Sequence, residues 1–386
     1  MQSGLFRFAL FYFCYYGALG AYTPYIGRWV QSLGHGGDVV GSMLVLWYGS
    51  RIVAPPAWSA LLRRSTRPGL WLVAGSALTL ASFACFTQVH AVWPLLTVMA
   101  VFGLFYNALM PQFEAMTLAA LGARTADYGR VRIWGSIGFL FVSGSYGWLL
   151  DRLGSLSFPW VMLPWLTAMV AAAWLHRHDR PPPRVESLTN AGHLWKRPGV
   201  RRFLLVALLM QMGFGAFYVF YTLHLHAQGY SGATIGLLWA LGVAIEIMMF
   251  WAAPRLIARY GAQSLMSFCL AVTILRWTVT GLFAPILWLM FAAQLLHAFS
   301  FAAFHASCMR QISDLFPGQH AVGGESLYFG FSSGVGGVLG AELATRLWLW
   351  RGGEAAFLGS AVVVAIAWLV YALRRKTNPS NDNAAA

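Results

Sequence analysis

Glu114, Arg132, Glu246, Arg276, His297 and His305 carry charge or a titratable ring through stretches of sequence that are otherwise apolar. A carboxylate takes up and releases a proton, and an imidazole relays one or tunes a neighbouring acid. A guanidinium grips an oxyanion through two parallel hydrogen bonds. Glu114 and Arg132 are 18 residues apart in PQFEAMTLAALGARTADYGRVRIWGS. Glu246 lies in LGVAIEIMMFWAAP, Arg276 in AVTILRWTVTG, and both histidines in QLLHAFSFAAFHASCMRQI. A lone charge at the centre of a bilayer costs roughly 3 kcal/mol on insertion scales. Such residues therefore pair with one another or face a water-filled cavity, and each is a candidate for binding or proton transfer. The competing reading is a structural ion pair, for example Glu246 with Arg276, or a histidine that only bonds a neighbouring helix. Arg51, Glu325 and Glu342 are weaker candidates. Arg51 and Glu342 stand nearer helix ends, where long side chains reach the interface.

The elements that position these groups are membrane helices. The chain of 386 residues is 59% hydrophobic and only 10% charged, against about a quarter charged for a soluble domain. Apolar runs long enough to cross a bilayer recur at roughly 5–29, 37–61, 69–88, 92–121, 128–150, 157–175, 202–226, 232–256, 262–283, 286–312, 322–347 and 354–373. These predict an all-α membrane protein of twelve transmembrane helices, since open strands and loops find no hydrogen-bond partners in lipid. The first run is too long for the core of a cleaved signal peptide and reads as a retained span.

The polar stretch HRHDRPPPRVESLTNAGHLWKRPG divides the runs into six and six. The expected organisation is a six-helix bundle over residues 1–175, a cytoplasmic linker over 176–201, a second six-helix bundle over 202–375 and a disordered cytoplasmic tail over 376–386. Two such halves point to a transporter with a hydrated site near the bilayer midplane. With a cytoplasmic N-terminus, nineteen Lys and Arg fall on the inner side and four on the outer. That bias places both termini in the cytoplasm. It also explains the net charge of +14 without a nucleic-acid partner. A small solute and lipid are the expected partners, and the monomer is the expected working unit.

Spans 4 and 5 are consecutive and antiparallel. At 1.5 Å per residue, Glu114 and Arg132 each lie about 8–12 Å from the inner end of their helix, so the two reach a similar depth. Gly17, Gly20 and Pro24 in span 1 correspond to Gly213 and Gly215 in span 7, where breakers either bend helices beside a cavity or let them pack closely. In span 11, Gly336 and Gly340 form a small-xxx-small face whose expected role is packing. Cys14, Cys85, Cys269 and Cys308 form no CxxC pair, so neither a zinc site nor a redox pair is expected. An enzyme using His297 and His305 is a poor fit. Eight residues set them about 80° apart on one helix, and no HExxH, GxSxG or phosphate loop occurs. No metal and no cofactor is expected.

At these residues the chain resembles the major facilitator superfamily, and within it the bacterial phenylpropionate permease group, which is related to the galactoside–proton symporters. DYGRVRIWGS at 127–136 is similar to that group's fifth helix, and GYSGATIGLLWALGVAIEIMMF at 229–250 to its eighth. LRW at 275–277 and LLHAFSFAAFHASCMR at 295–310 are similar to its ninth and tenth. The sugar permeases of the superfamily carry Pro-x-x-Glu-Ala in the fourth helix, matched by Pro111 to Ala115, and a substrate-binding arginine 18 residues beyond the glutamate, matched by Arg132. An aromatic residue follows seven further on, here Phe139. The ninth-helix arginine matches Arg276 and the tenth-helix histidine His297. The proton-carrying glutamate three residues after that histidine is replaced by Ser300, the eighth-helix carboxylate is displaced by about a turn to Glu246, and SALLRRSTRPG departs from the usual Gly-x-x-x-Asp loop.

The resemblance implies a proton-coupled symporter of a small organic solute in the inner membrane of a bacterium, with protons as a second partner. An aromatic carboxylic acid such as phenylpropionate suits the arginines, and a saccharide or nucleoside is the alternative. Glu114, Arg132, Phe139, Arg276 and His297 are the expected binding residues, with Arg132 and Arg276 as carboxylate clamps. Glu246 is the first candidate proton carrier and Glu114 the second, with His297 as tuning partner and His305 as a further candidate. Tyr16 and Tyr218 are aromatic residues for which plain packing is the stronger expectation.

Overall fold

The structure, a computed structural model, describes residues 3–63, 65–179, 196–317 and 320–372. Most of the expected linker and the whole expected tail over 376–386 lie outside the described residues. Among the described residues every regular element is helical. The first six helices are α1 (Ser3–Ser32), α2 (Gly37–Leu62), α3 (Pro68–Ala84), α4 (Val92–Leu121), α5 (Tyr128–Leu153) and α6 (Phe158–Trp174). Then come α7 (Pro198–Gly213), α8 (Gly215–Ala227), α9 (Gly232–Tyr260), α10 (Ala262–Leu282), α11 (Leu287–Leu295), α12 (Phe304–Leu315), α13 (Ala321–Phe329) and α14 (Gly337–Ala372). Nine stretches of the described residues are long and apolar enough to cross a membrane.

Local chemistry sets several boundaries. Proline opens α3, α6 and α7, where its missing N–H deprives the helix of nothing. Gly352, at φ 70°, and Arg351 break the helical path inside α14, close to where the hydropathy pattern separates its last two runs. π-helical turns at Ala298–Ala303 and Gly330–Gly336 join α11 to α12 and α13 to α14. Nothing in the hydropathy pattern announces either one.

The chain forms two compact units, residues 1–185 with 218–243 and residues 186–217 with 244–386. In the first unit α1 packs along α5 and α6, and α4 packs against α2 and α3. The crossing of α1 and α5 depends on two glycines. A Cβ on Gly138 would run into the Phe13 carbonyl, and one on Gly20 into the backbone of Phe139. Residues 218–243 join this unit although the sequence places them beyond the linker. Their attachment is visible at α5, where the Asp151 carboxylate accepts a hydrogen bond from the Ala233 amide (3.2 Å) and also pairs with Arg28 (2.8 Å).

In the second unit α14 packs on α7 and α10. Gly215 faces the Gly340 carbonyl and Gly340 the Met212 backbone. The span 1 and span 7 glycines are thus contact points. Gly17 lies against Trp165 and Gly213 against Val364, while α1 continues helically through Pro24. Close packing of small residues allows dispersion contacts between backbones, which replaces the hydrophobic driving force that lipid does not supply.

Candidate functional site

Five of the ionisable residues inside the helices, Glu114, Arg132, Glu246, Arg276 and His297, form two clusters, one in each unit. In the first, Glu114 on α4 and Arg132 on α5 are joined by the tight 3₁₀ turn Gly122–Asp127, so the antiparallel pairing brings them to a similar level. The Tyr128 hydroxyl donates toward the Glu114 carboxylate at 3.4 Å. The Arg132 guanidinium carbon lies 4.0 Å from the ring centroid of Tyr16 and 5.5 Å from that of Tyr12. Tyr12 and Tyr16 are one turn apart on α1, and their rings are stacked. Stacking leaves the in-plane N–H groups of a guanidinium pointing outward, and it is worth about 1 kcal/mol or more where water is excluded. No hydrogen bond or ion pair joins the Arg132 guanidinium to any described residue. Phe139 lies two turns further along α5, half-buried, with its backbone at the α1–α5 crossing.

The second cluster is arranged differently. Arg276 on α10 is 1% exposed. One terminal nitrogen donates to His297 Nδ1 (2.9 Å) and to Ser300 Oγ (2.9 Å), and the other to Gln294 Oε1 (3.0 Å). The Phe217 and Trp277 rings flank it, with centroids at 4.6 and 4.4 Å. A guanidinium only donates. His297 Nδ1 must therefore offer a lone pair, and the ring proton sits on Nε2. That nitrogen faces Glu246 Oε2 at 3.6 Å. His297 thus stands between Arg276 and Glu246, and the order guanidinium, imidazole, carboxylate fixes its tautomer. Ser300 lies within the π turn Ala298–Ala303, a wide turn recurrent at functional sites.

His305 lies outside this hydrogen-bonded group. Its Nδ1 is 3.5 Å from the Tyr328 hydroxyl, and the Phe301 ring stacks between it and His297. No group of three His, Cys, Asp or Glu among the described residues is placed to hold a metal ion. Arg51 lies over the Trp47 and Tyr48 rings, and Glu342 pairs with Arg346 one turn on.

Tyr12, Gln294, Phe217 and Trp277 belong to these clusters and are absent from the site expected from sequence. Gln294 carries a legible signal, being an amide in an apolar run one turn before His297. The three aromatic residues carry none, because aromatic residues fill this whole chain.

The chain belongs to the MFS_1 like family, whose pattern matches residues 5–359. It is 29% identical over 321 residues to a "Probable 3-phenylpropionic acid transporter" of Escherichia coli (strain K12), covering 79% of this chain and 81% of that one. It is 28% identical over 345 residues to a maltose permease of Geobacillus stearothermophilus, covering 88% and 85%. The fold matches the crystal structure of nucleoside transporter NupG with a TM-score of 0.83 at 14% identity, over 97% of this chain and all of that one. The protein is an all-helical membrane transporter of small solutes with the major facilitator fold.

Proposed function

We propose that this protein is a proton-coupled symporter of an aromatic monocarboxylic acid of the phenylpropionate type, working by alternating access through twelve spans. The observation that carries this reading is Arg132, which rests on Tyr16 with its N–H edge uncommitted to any described residue. A carboxylate fits that edge, and an aryl group fits the tyrosines beside it. The relative named a probable 3-phenylpropionic acid transporter supports the same cargo. Glu246 is the proton carrier in this reading. Its contact with His297 gives the carboxylate a partner whose proton position is fixed, and rocking that changes the surroundings of this pair would change the affinity of Glu246 for a proton. The working unit is a monomer in the bacterial inner membrane, with both termini in the cytoplasm.

Saccharide–proton symport is the second reading, favoured by the maltose permease relative and by the Glu114 carboxylate beside Tyr128, which would accept from sugar hydroxyls. The test is uptake into proteoliposomes under an inward proton gradient, with 3-phenylpropionate, maltose and uridine as solutes. The expected outcome is gradient-driven accumulation of 3-phenylpropionate, lost in Glu246→Gln while exchange of internal for external acid persists. Accumulation of maltose alone would establish the second reading. Unchanged accumulation in Glu246→Gln would remove Glu246 as carrier.

A further inference from the structure

Arg51 stands deeper in the first unit than its run of sequence suggests. At 1.5 Å per residue it lies about 16 Å from the nearer end of α2 (Gly37–Leu62), close to the middle of a hydrocarbon layer about 30 Å thick. A charge at that depth is tolerated when it is paired or faces water. No hydrogen bond or ion pair joins the Arg51 guanidinium to any described residue. It is half-buried and lies over the Trp47 and Tyr48 rings, with centroids at 5.6 and 5.1 Å. One turn on, Pro55 and Pro56 lack the amides that would meet the carbonyls of Arg51 and Ile52 in a regular helix. In a membrane helix such carbonyls turn to other polar groups or to ordered water. A wall of rings links this place to Arg132. Tyr16, on which Arg132 rests, lies 5.2 Å from Tyr15, Tyr15 lies 4.4 Å from Tyr106, and Tyr106 lies 5.3 Å from Trp47. The wall is fixed, because Tyr15 and Tyr106 each donate to the other's backbone carbonyl (3.3 and 2.6 Å).

We infer that Arg51 is a specificity-determining residue, whose guanidinium donates to an oxygen on the aryl ring of the acid that Arg132 holds. The inference deepens the proposed function and rests on the reading of Arg132 as the clamp. Charge decides what kind of oxygen this is. Arg51, Arg132 and Glu114 are all charged neighbours of the Tyr15 hydroxyl. With Glu114 ionised, two guanidiniums and one carboxylate leave a single positive charge, and one monocarboxylate neutralises it. No second carboxylate is called for at Arg51. A guanidinium only donates, so its share of the ligand is an uncharged acceptor such as a phenolic oxygen. The cargo is thereby narrowed to an aromatic monocarboxylic acid with an oxygen substituent on its ring, the ring lying along the tyrosines between the two arginines.

The experiment measures binding of 3-phenylpropionate, 3-(3-hydroxyphenyl)propionate and 3-(4-hydroxyphenyl)propionate to the purified full-length protein. The wild type should bind one of the hydroxylated acids about tenfold or more tighter than 3-phenylpropionate, as expected for a hydrogen bond to a charged group. Arg51→Met should abolish that preference. Equal affinities for the three acids in the wild type overturn the inference without any variant. A preference that persists in Arg51→Met also overturns it. So does an equal loss for all three acids with the preference kept, because the charge of Arg51 would then act on the carboxylate and not on the ring. Arg132→Gln separates the two levels of the argument. If that variant binds every acid like the wild type, or if the wild type binds none of them, the clamp reading fails and this inference with it. If Arg132→Gln abolishes binding and Arg51→Met leaves the preference unchanged, the Arg51 inference alone fails.

Discussion

Arg276 and Arg132 each lie against two aromatic rings, but only Arg276 is committed. It donates to Gln294, His297 and Ser300 and is closed to solvent, whereas Arg132 is half-buried and donates to none of the described residues. Sequence spacing makes the two look like equivalent clamps, one from each unit. Their hydrogen bonds make them unlike. A guanidinium whose donors are already spent must give up bonds before it can take a carboxylate. A stacked one with a free edge pays no such penalty. The second unit's arginine therefore organises its own neighbours, and the first unit's arginine is the one proposed to take the ligand.

The largest expected effect tests that division directly. Arg276→Met removes three hydrogen bonds at once and leaves Gln294 and His297 buried without their donor. It also takes a positive charge from the chain that leads to Glu246. The loss in stability should be on the order of 3 kcal/mol, read as a lowered midpoint of unfolding in detergent. Arg132→Met should change the same midpoint by only about 1 kcal/mol, since it breaks stacking and no hydrogen bond. Equal losses in the two variants would abolish the contrast.

A middle-sized effect sharpens the role of His297. The asparagine side chain places its carbonyl oxygen near the position of Nδ1, so His297→Asn keeps an acceptor for Arg276 and loses the group that faces Glu246. It should cost less stability than His297→Leu by about 1 kcal/mol, while both variants lose gradient-driven accumulation. If Asn and Leu destabilise alike, the bond from Arg276 to Nδ1 is not what holds this cluster.

Much of this architecture is legible in sequence, and the reasons are physical. Apolar run length and glycine or proline punctuation place the ends of most helices within a few residues, because lipid permits few alternatives to a helix. The proximity of Glu114 and Arg132 follows from two consecutive antiparallel helices with a short turn. The tie between Arg276 and His297 is not read from spacing, which suggests Glu246 with Arg276 as the pair, whereas the structure sets His297 between them. What spacing does not carry is helix rotation, and rotation decides which neutral group meets which charge. Gln294 and Ser300 become partners of Arg276 only once α10 and the π turn after His297 are set against each other. Tyr12 is one of 15 tyrosines, and its place beside Arg132 is a property of packing alone. The attachment of residues 218–243 to the first unit is likewise invisible to hydropathy, which reads spans and not their neighbours.

The smallest expected effect comes from a third ionic group, which lies outside the membrane-spanning helices and serves as a control on both clusters. Asp179 pairs with Arg7 at the start of α1 and accepts from His176 Nδ1 at 2.9 Å, tying the beginning of α1 to the chain just beyond α6. Burial alone would raise the Asp179 carboxyl, but His176 and Arg7 outweigh it and hold the group below the usual carboxylate range. A carboxyl depressed in the folded state binds its proton more readily in the unfolded chain. Its stabilising contribution is therefore complete well above the unfolded value of about 3.9, and it is lost as pH falls through the lower folded value. The partly exposed setting limits the effect to about 1 kcal/mol or less. Asp179→Asn should unfold slightly more easily than the wild type at pH 6, and the gap should close as the pH is taken down through 4 toward 3. Binding of 3-phenylpropionate and coupling to the proton gradient should not change. A gap that stays constant across that range would mean the tie is not ionic. A change in coupling would mean that charges outside the two clusters also take part in the cycle, and the division between a ligand-facing and a self-contained arginine would then be incomplete.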